Sequence, residues 1–141
     1  MKKIISMFLV VLVALNFSTF AFAEDIDTPI EEEVIEEYSY CNSISTYLTI
    51  SSNTATCTSS VFGKYGTTTD IFIMQTLEKL SGSTWGTVAV WSNGKSCSSY
   101  TFINKKTSLS KGTFRLKTYA KVYSGTKYET ITAYSSTVKN S

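Results

Sequence analysis

The stretch GTFRLKTYAKVYSGTKYETITAYSS, residues 112–136, decides the fold of this chain. Its first half alternates apolar and polar residues with a period of two, which is the pattern of a half-buried β-strand. Its second half alternates in the same way, and Ser124-Gly125-Thr126-Lys127 lies between the halves as a turn whose glycine tolerates positive φ. The stretch therefore predicts a β-hairpin.

The two arms of this hairpin agree on which face is buried. With a two-residue loop, antiparallel pairing places even-numbered residues of the first arm opposite odd-numbered residues of the second. Ala120 and Val122 then share a face with Ile131 and Ala133. The opposite face is predicted to carry a ladder of cations and tyrosines, namely Arg115, Lys117, Lys121, Tyr119, Tyr123, Tyr128 and Tyr134. Because the turn and both apolar patterns agree, they indicate a single register.

Five strand-like runs rich in Thr, Val, Ile, Tyr and Phe precede the hairpin at intervals of about ten residues, separated by Gly, Ser and Asn. They span residues 43–51, 55–61, 70–80, 84–91 and 97–105. Together with the hairpin, they predict an all-β fold, an antiparallel β-sandwich of about seven strands.

In two of these runs, alternation predicts the face on which particular side chains lie. The third run has one polar residue, Gln75, on its otherwise apolar face. In the fourth run, alternation places Trp85 and Trp91 on one face and Val88 and Val90 on the other.

The N-terminal residues 1–23 have the organisation of a secretory signal peptide, with two lysines, an apolar run and Ala21-Phe22-Ala23 as the cleavage site. The apolar run is shorter than the ~20 residues that a transmembrane helix needs. We therefore expect a secreted, extracellular protein whose mature part has no transmembrane segment. The predicted organisation is a signal peptide at 1–23, an acidic and disordered tail at 24–40, and the β-sandwich at 41–141.

Charge is divided unevenly along the chain. Eight of the eleven acidic residues lie within residues 24–37, whereas the chain from Tyr38 onward has eleven basic residues against three acidic ones, a net charge of +8. One interpretation is that the acidic run is a solvated spacer. The other is that it shields the basic domain until it is displaced or cleaved.

Three cysteines in an exported chain cannot all pair. If each strand runs antiparallel to the one before it, Cys41 and Cys97 lie at the same end of the sandwich, and Cys57 lies mid-strand as a small buried thiol. The sequence thus predicts a Cys41–Cys97 disulfide. The odd thiol could alternatively join two chains.

The same antiparallel order gathers three loops, 63–69, 92–96 and 124–127, at one end of the sandwich. The candidate ligand-binding residues there are Lys64, Tyr65, Trp91, Asn93, Lys95, Tyr123, Lys127 and Tyr128. Aromatic rings beside cations and amides suit flat polar ligands such as sugars or polyanions. The alternative is that Trp91 caps the core and the tyrosines solubilise the strand ends.

Several chemistries are excluded by composition. The chain has no histidine, so it lacks Ser-His-Asp and Cys-His nucleophile systems and imidazole metal sites. Asp70, Glu78 and Glu129 are separated in sequence, which argues against a calcium site and against a glycosidase pair. We expect no catalytic residues, no metal and no cofactor, and therefore no enzyme. Nucleic acid is not an expected partner, because the domain is exported and has one arginine.

Several short motifs resemble those of a family of small exported proteins from Gram-positive, clostridia-like Firmicutes. The motifs occupy residues 77–79, 85–91, 111–117, 122–125 and 130–136. The resemblance covers nearly all of residues 41–141 and implies a β-sandwich of immunoglobulin-like or fibronectin type III-like appearance. The family's function is unknown, so it supplies no site residues. Gln75 departs from the family's pattern, which is apolar at this position.

These observations favour a secreted, non-catalytic binding or surface-interaction module, with cell-envelope glycans or other polyanions as ligands. An alternative is a bacteriocin-like or inhibitor protein that acts on other cells. A third is a structural module that assembles through its strand edges. The sequence leaves the oligomeric state open.

Overall fold

Eight β-strands make up the secondary structure of residues 38–141, the part of the chain that this computed structural model describes. The predicted signal peptide and residues 24–37 lie outside the described residues. The strands are β1 (Cys41–Ser51), β2 (Thr54–Gly63), β3 (Asp70–Ser81), β4 (Thr84–Lys95), β5 (Ser99–Lys106), β6 (Gly112–Ser124), β7 (Lys127–Tyr134) and β8 (Val138–Asn140).

The strands form two antiparallel sheets that pack as a β-sandwich, which confirms the predicted fold class. One sheet has three strands in the order β1-β2-β5. The other has five strands, with β4-β3-β6-β7 side by side and β8 paired with the first residues of β6. The immunoglobulin-like or fibronectin type III-like assignment stays a prediction.

The hairpin of β6 and β7 has the predicted register. Ser124 pairs with Lys127, so Gly125 and Thr126 form a two-residue loop, and Gly125 adopts a φ of +62°. Ala120 lies opposite Ile131, and both side chains are buried. The face with the tyrosines and cations is the outer face of the five-stranded sheet.

Strand β4 differs from the prediction because of a β-bulge. Leu77 pairs with Ala89 but Glu78 pairs with Thr87, so Val88 is an extra residue in β4. A bulge reverses the direction of every side chain beyond it. Trp91 therefore packs against the core, whereas Trp85 lies on the outer face, and the expectation that they share a face is wrong.

Two smaller differences concern strand ends. Strand β5 begins at Ser99, so Cys97 lies in the preceding loop rather than in the strand. The short strand β8 was not predicted, because its three residues are too few to show a periodic pattern. Its Asn140 is buried and donates through Nδ2 to the carbonyl oxygens of Leu109 and Ser110.

The core consists of two apolar clusters with a layer of polar side chains between them. One cluster contains Val61, Ile73 and Val122, and the other contains Leu77 and Leu116. The polar layer runs from β1 to β5 through Thr46, Thr118, Ser59, Gln75 and Asn104. Every buried side-chain nitrogen and oxygen in the described residues has a hydrogen-bond partner, so this layer is fully satisfied.

Candidate functional site

The β2–β3, β4–β5 and β6–β7 loops converge at the end of the sandwich where β6 meets β7, as the sequence predicts. The predicted loop 92–96 is wrong except for Ser96, because residues 92–95 pair with β3 and extend strand β4 to Lys95. Thr69, after β2, donates its backbone N–H to the carbonyl of Tyr123, and the N–H of Gly125 donates to Thr69 Oγ1. Ser96, after β4, donates its hydroxyl to Asp70 Oδ1 at 2.6 Å. The loops are thus tied to one another by hydrogen bonds, and we call this region the loop end.

The loop end continues onto the outer face of the five-stranded sheet as cross-strand rows. In the first row, Asp70 of β3 pairs with Tyr123 of β6, which pairs with Tyr128 of β7. In the next row, Phe72 pairs with Lys121 of β6. Side chains of paired residues are neighbours on one face, so the carboxylate, the rings and the amine lie together.

An open pocket of about 220 Å³ lies at this end of the sheet. It is lined by Asp70, Ile71, Phe72, Gly94, Lys95, Ser96 and Tyr123. Gly94 faces Phe72, and a Cβ added there would lie 3.7 Å from Phe72 Cδ2. The missing side chain therefore leaves the Phe72 ring uncovered from the β4 side.

Asp70 gives the pocket a fixed negative charge. Hydrogen bonds from the side chains of Ser96 and Thr69 hold the pKa of its carboxyl below the usual value, because they stabilise the charged form. Asp70 is only partly buried, so its carboxylate remains a hydrogen-bond acceptor for a ligand at neutral pH.

The aromatic residues beside the pocket are packed against one another. The ring centroids of Tyr123 and Tyr128 lie 5.4 Å apart, and Lys121 Nζ lies 5.0 Å from the Tyr128 ring centroid. Tyr128 nevertheless keeps 54% of its surface exposed. The arrangement presents a tyrosine ring that is held in place by its neighbours and open to solvent.

Four of the predicted site residues lie at this surface. Lys95 and Tyr123 line the pocket, and Lys127 and Tyr128 begin β7 beside it. Lys95 contributes less than expected, because its Nζ is directed to the Tyr100 ring, 5.8 Å from the centroid.

The other four predicted residues are not part of the pocket lining. Lys64 donates its Nζ to the carbonyl of Tyr38, and Tyr65 is 96% exposed on the β2–β3 loop. Trp91 packs against the second core cluster, which agrees with its interpretation as a core cap. Asn93 accepts a hydrogen bond from the N–H of Gly94.

Sequence reasoning missed Asp70, Phe72 and Ser96 as pocket residues. Asp70 and Phe72 were assigned to a strand with no site attached, because a single strand does not show which neighbour lies beside it. The start of β3 next to three converging loops is the signal that identifies them.

The chain that leads into β1 is held at the same end. The carboxylate of Glu129 accepts hydrogen bonds from the backbone N–H groups of Ser39, Tyr40 and Cys41, at 2.8, 2.8 and 2.6 Å. Tyr38 and Tyr40, which the sequence analysis placed in the acidic tail, pack against the first core cluster. Thr68 donates to the Tyr40 carbonyl and lies against Gly63, where an added Cβ would clash with it.

All three cysteines are free thiols in the structure, so the predicted Cys41–Cys97 disulfide is not present in it. Both residues lie in the first cluster, as expected, and Cys57 lies in the second. Strand β2 runs between them, since Cys41 pairs with Gly63 and the Gly63 N–H donates to the Ser98 carbonyl.

A second cavity, of about 350 Å³, lies between the edge of β1 and the end of β7. Its lining is Ser45, Thr46, Tyr47, Leu48, Tyr134, Ser135 and Ser136, and none of these residues is charged. The loop-end pocket is the better candidate for specific recognition, because it combines a carboxylate with two aromatic rings.

Comparison with known protein families finds no family model that matches the chain, and no curated protein matches it either. Within residues 38–141, no helix long and apolar enough to cross a membrane is present. The same residues contain no group of three or more side chains placed to hold a metal ion.

Proposed function

We propose that this protein is a secreted, non-catalytic binding module that recognises cell-envelope glycans through the loop-end pocket. The observation that carries the proposal is the row of Asp70, Tyr123 and Tyr128 across three neighbouring strands. The predicted signal peptide supports an envelope ligand, because it predicts export of the chain.

The pocket chemistry favours a sugar ring over an extended anion. Sugar hydroxyls donate to carboxylates, and the apolar faces of a sugar pack on aromatic rings, which Phe72 and Tyr123 supply. A volume of about 220 Å³ is smaller than the roughly 300–1,000 Å³ of pockets for drug-sized ligands, so it suits one saccharide unit at a time. The lysines beside it suit the anionic groups of envelope polymers.

Each acidic side chain in residues 38–141 contacts a partner that is not another carboxylate. Asp70 accepts from Ser96, Glu78 pairs with Arg115, and Glu129 accepts three backbone N–H groups. These separate roles support binding rather than acid–base catalysis.

The test is a pull-down on purified bacterial cell wall, combined with a glycan array, on the whole secreted chain. Asp70→Asn keeps the shape of the side chain but removes its charge, and Tyr128→Ala removes the exposed ring. We expect each to weaken binding by about tenfold, since a charged hydrogen bond or a stacked ring contributes roughly 1–3 kcal/mol.

The matched control is Tyr47→Ala, which removes a tyrosine that is 66% exposed on the other sheet. It should bind as the unmodified protein does. The proposal fails if the unmodified protein is not retained at low salt, or if Tyr47→Ala weakens binding as much as the pocket variants.

A further inference from the structure

We propose that the outer face of the five-stranded sheet binds an extended anionic polysaccharide, which lies along the sheet from the loop-end pocket towards Tyr134. This inference rests on the function proposed above, because it names the class of glycan of which the loop-end pocket holds one sugar. It adds two properties to that glycan, namely acidic groups and a length of several sugar units.

A row of cations follows strand β6 along the middle of this face. The even-numbered residues of β6 from 114 to 122 are buried, so the side chains of Arg115, Lys117 and Lys121 point outward. Lys117 and Lys121 are four residues apart in the strand, a distance of about 13 Å. Both lie between β3 and β7, because β6 pairs with β3 on one side and with β7 on the other.

Acidic side chains on the same face leave this positive charge uncovered. Between the two ends of the face the acidic residue is Glu78, which is paired with Arg115 at 2.6 Å and has 12% of its side chain exposed. Within residues 38–141, neither Lys117 nor Lys121 has an ion-pair partner. A ligand with repeated anionic groups supplies the missing negative charge.

Two exposed tyrosine rings lie at opposite ends of the neighbouring strand. Tyr128 and Tyr134 of β7 are each about half exposed, and their six-residue separation corresponds to about 20 Å along the strand. Tyr128 pairs with Tyr123 at the loop-end pocket, and Tyr134 pairs with Lys117. The Tyr134 ring is held by Arg115, whose Cζ lies 4.6 Å from the ring centroid. One ligand that packs on both rings must therefore extend over several sugar units.

The side chains between the rings suit a polysaccharide better than a nucleic acid. Thr130 and Thr132 are exposed on β7, and their hydroxyls both donate and accept hydrogen bonds, as sugar hydroxyls do. Nucleic-acid phosphates and bases are usually bound by arginine. The guanidinium of Arg115 is already stacked between Trp85 and Tyr134, so lysines provide the uncovered charge.

The first experiment measures binding of the whole secreted chain to purified bacterial cell wall, before and after acid extraction of the anionic polymers of the wall. We expect extraction to weaken binding by about tenfold, the effect of losing two exposed charge contacts. Equal binding to both preparations would overturn this inference and leave the glycan-binding function intact. Retention on neither preparation would overturn the proposed function and this inference with it.

The second experiment locates the contact with matched variants on the unextracted wall. Lys117→Gln/Lys121→Gln should weaken binding by about tenfold, whereas Lys117→Arg/Lys121→Arg keeps the charge and should retain binding. The control Lys105→Gln/Lys106→Gln removes the same charge from β5 in the other sheet and should bind as the unmodified protein does. Equal losses in the two glutamine variants would show that net charge alone attracts the wall, and would refute the proposal.

A competition assay separates the polysaccharide from other polyanions. The acid extract, which holds the free anionic polymers, should displace the protein from the wall at a several-fold lower concentration of charge than single-stranded DNA does. Displacement by DNA at the same concentration of charge would refute the proposal, because the face would then bind any anion without contacts to sugar.

Discussion

Gln75 belongs to the polar layer of the core, and its side chain is fully buried. Its hydrogen bonds allow the change in the free energy of unfolding to be predicted for a substitution at this position. Its Nε2 lies 2.8 Å from Ser59 Oγ and 3.0 Å from the Phe102 carbonyl oxygen, and its Oε1 accepts from Asn104 Nδ2 at 2.9 Å. A further contact joins Nε2 to the Cys57 carbonyl oxygen at 3.2 Å. The perturbation is Gln75→Leu, which keeps the volume and removes the amide from all four partners; because Nε2 has two hydrogens for three acceptors, these contacts amount to about three hydrogen bonds.

The expected loss is set by two opposing effects. The amide's two N–H donors and its oxygen make about three hydrogen bonds that contribute about 1 kcal/mol each, and burying leucine in place of the amide returns about 2 kcal/mol. The free energy of unfolding should therefore fall by about 1 kcal/mol, which for a domain of this size lowers Tm by roughly 4–8 °C. Urea unfolding followed by tryptophan fluorescence measures the first quantity, and calorimetry measures the second.

A second variant separates hydrogen bonding from packing. Adding Asn104→Leu to Gln75→Leu removes the amide that the first change leaves without its partner, so it should restore about 1 kcal/mol. Asn104→Leu alone should destabilise, because it leaves Gln75 Oε1 unpaired in the core. If Gln75→Leu is as stable as the unmodified protein, or if the two changes are simply additive, the hydrogen bonds between Gln75 and Asn104 do not stabilise the fold.

Two further predictions concern groups elsewhere in the sandwich. Arg115 stacks between Trp85 and Tyr134, with its Cζ 4.2 and 4.6 Å from the ring centroids, and its Nε binds Glu78 at 2.6 Å. Arg115→Lys should therefore cost about 1 kcal/mol in urea unfolding, since an ammonium group cannot stack and bind in this way, and an unchanged midpoint would contradict it. Burial raises the pKa of the Cys57 thiol to about 12 from an ordinary value of 9.0, so alkylation of the folded protein at pH 9 should label the half-buried Cys97 but not Cys57. Above pH 9 the Cys57 thiol ionises in the unfolded chain but stays neutral in the folded protein. Cys57 therefore makes the free energy of unfolding fall as pH rises from about 9 towards 12. Labelling of folded Cys57 at the rate of Cys97 would refute the raised pKa.

The local pattern of the sequence was sufficient for the strands and for the direction of most side chains. Alternation along β3 and β6 identified their buried faces, and the turn at Gly125 fixed the register of β6 on β7. These features depend on residues close in sequence, because a period of two and a tight turn determine a hairpin without reference to the rest of the chain.

The tertiary structure decided which residues meet across strands that are distant in sequence. Ser59, Gln75 and Thr118 come from three strands, and only the packing of the two sheets brings them into one polar layer. The bulge at Val88 is a property of pairing rather than of composition, and it alone places Trp85 beside Arg115. The lining of the pocket likewise depends on the strand order β4-β3-β6-β7, which could not be predicted because the residues of one strand do not specify its neighbours.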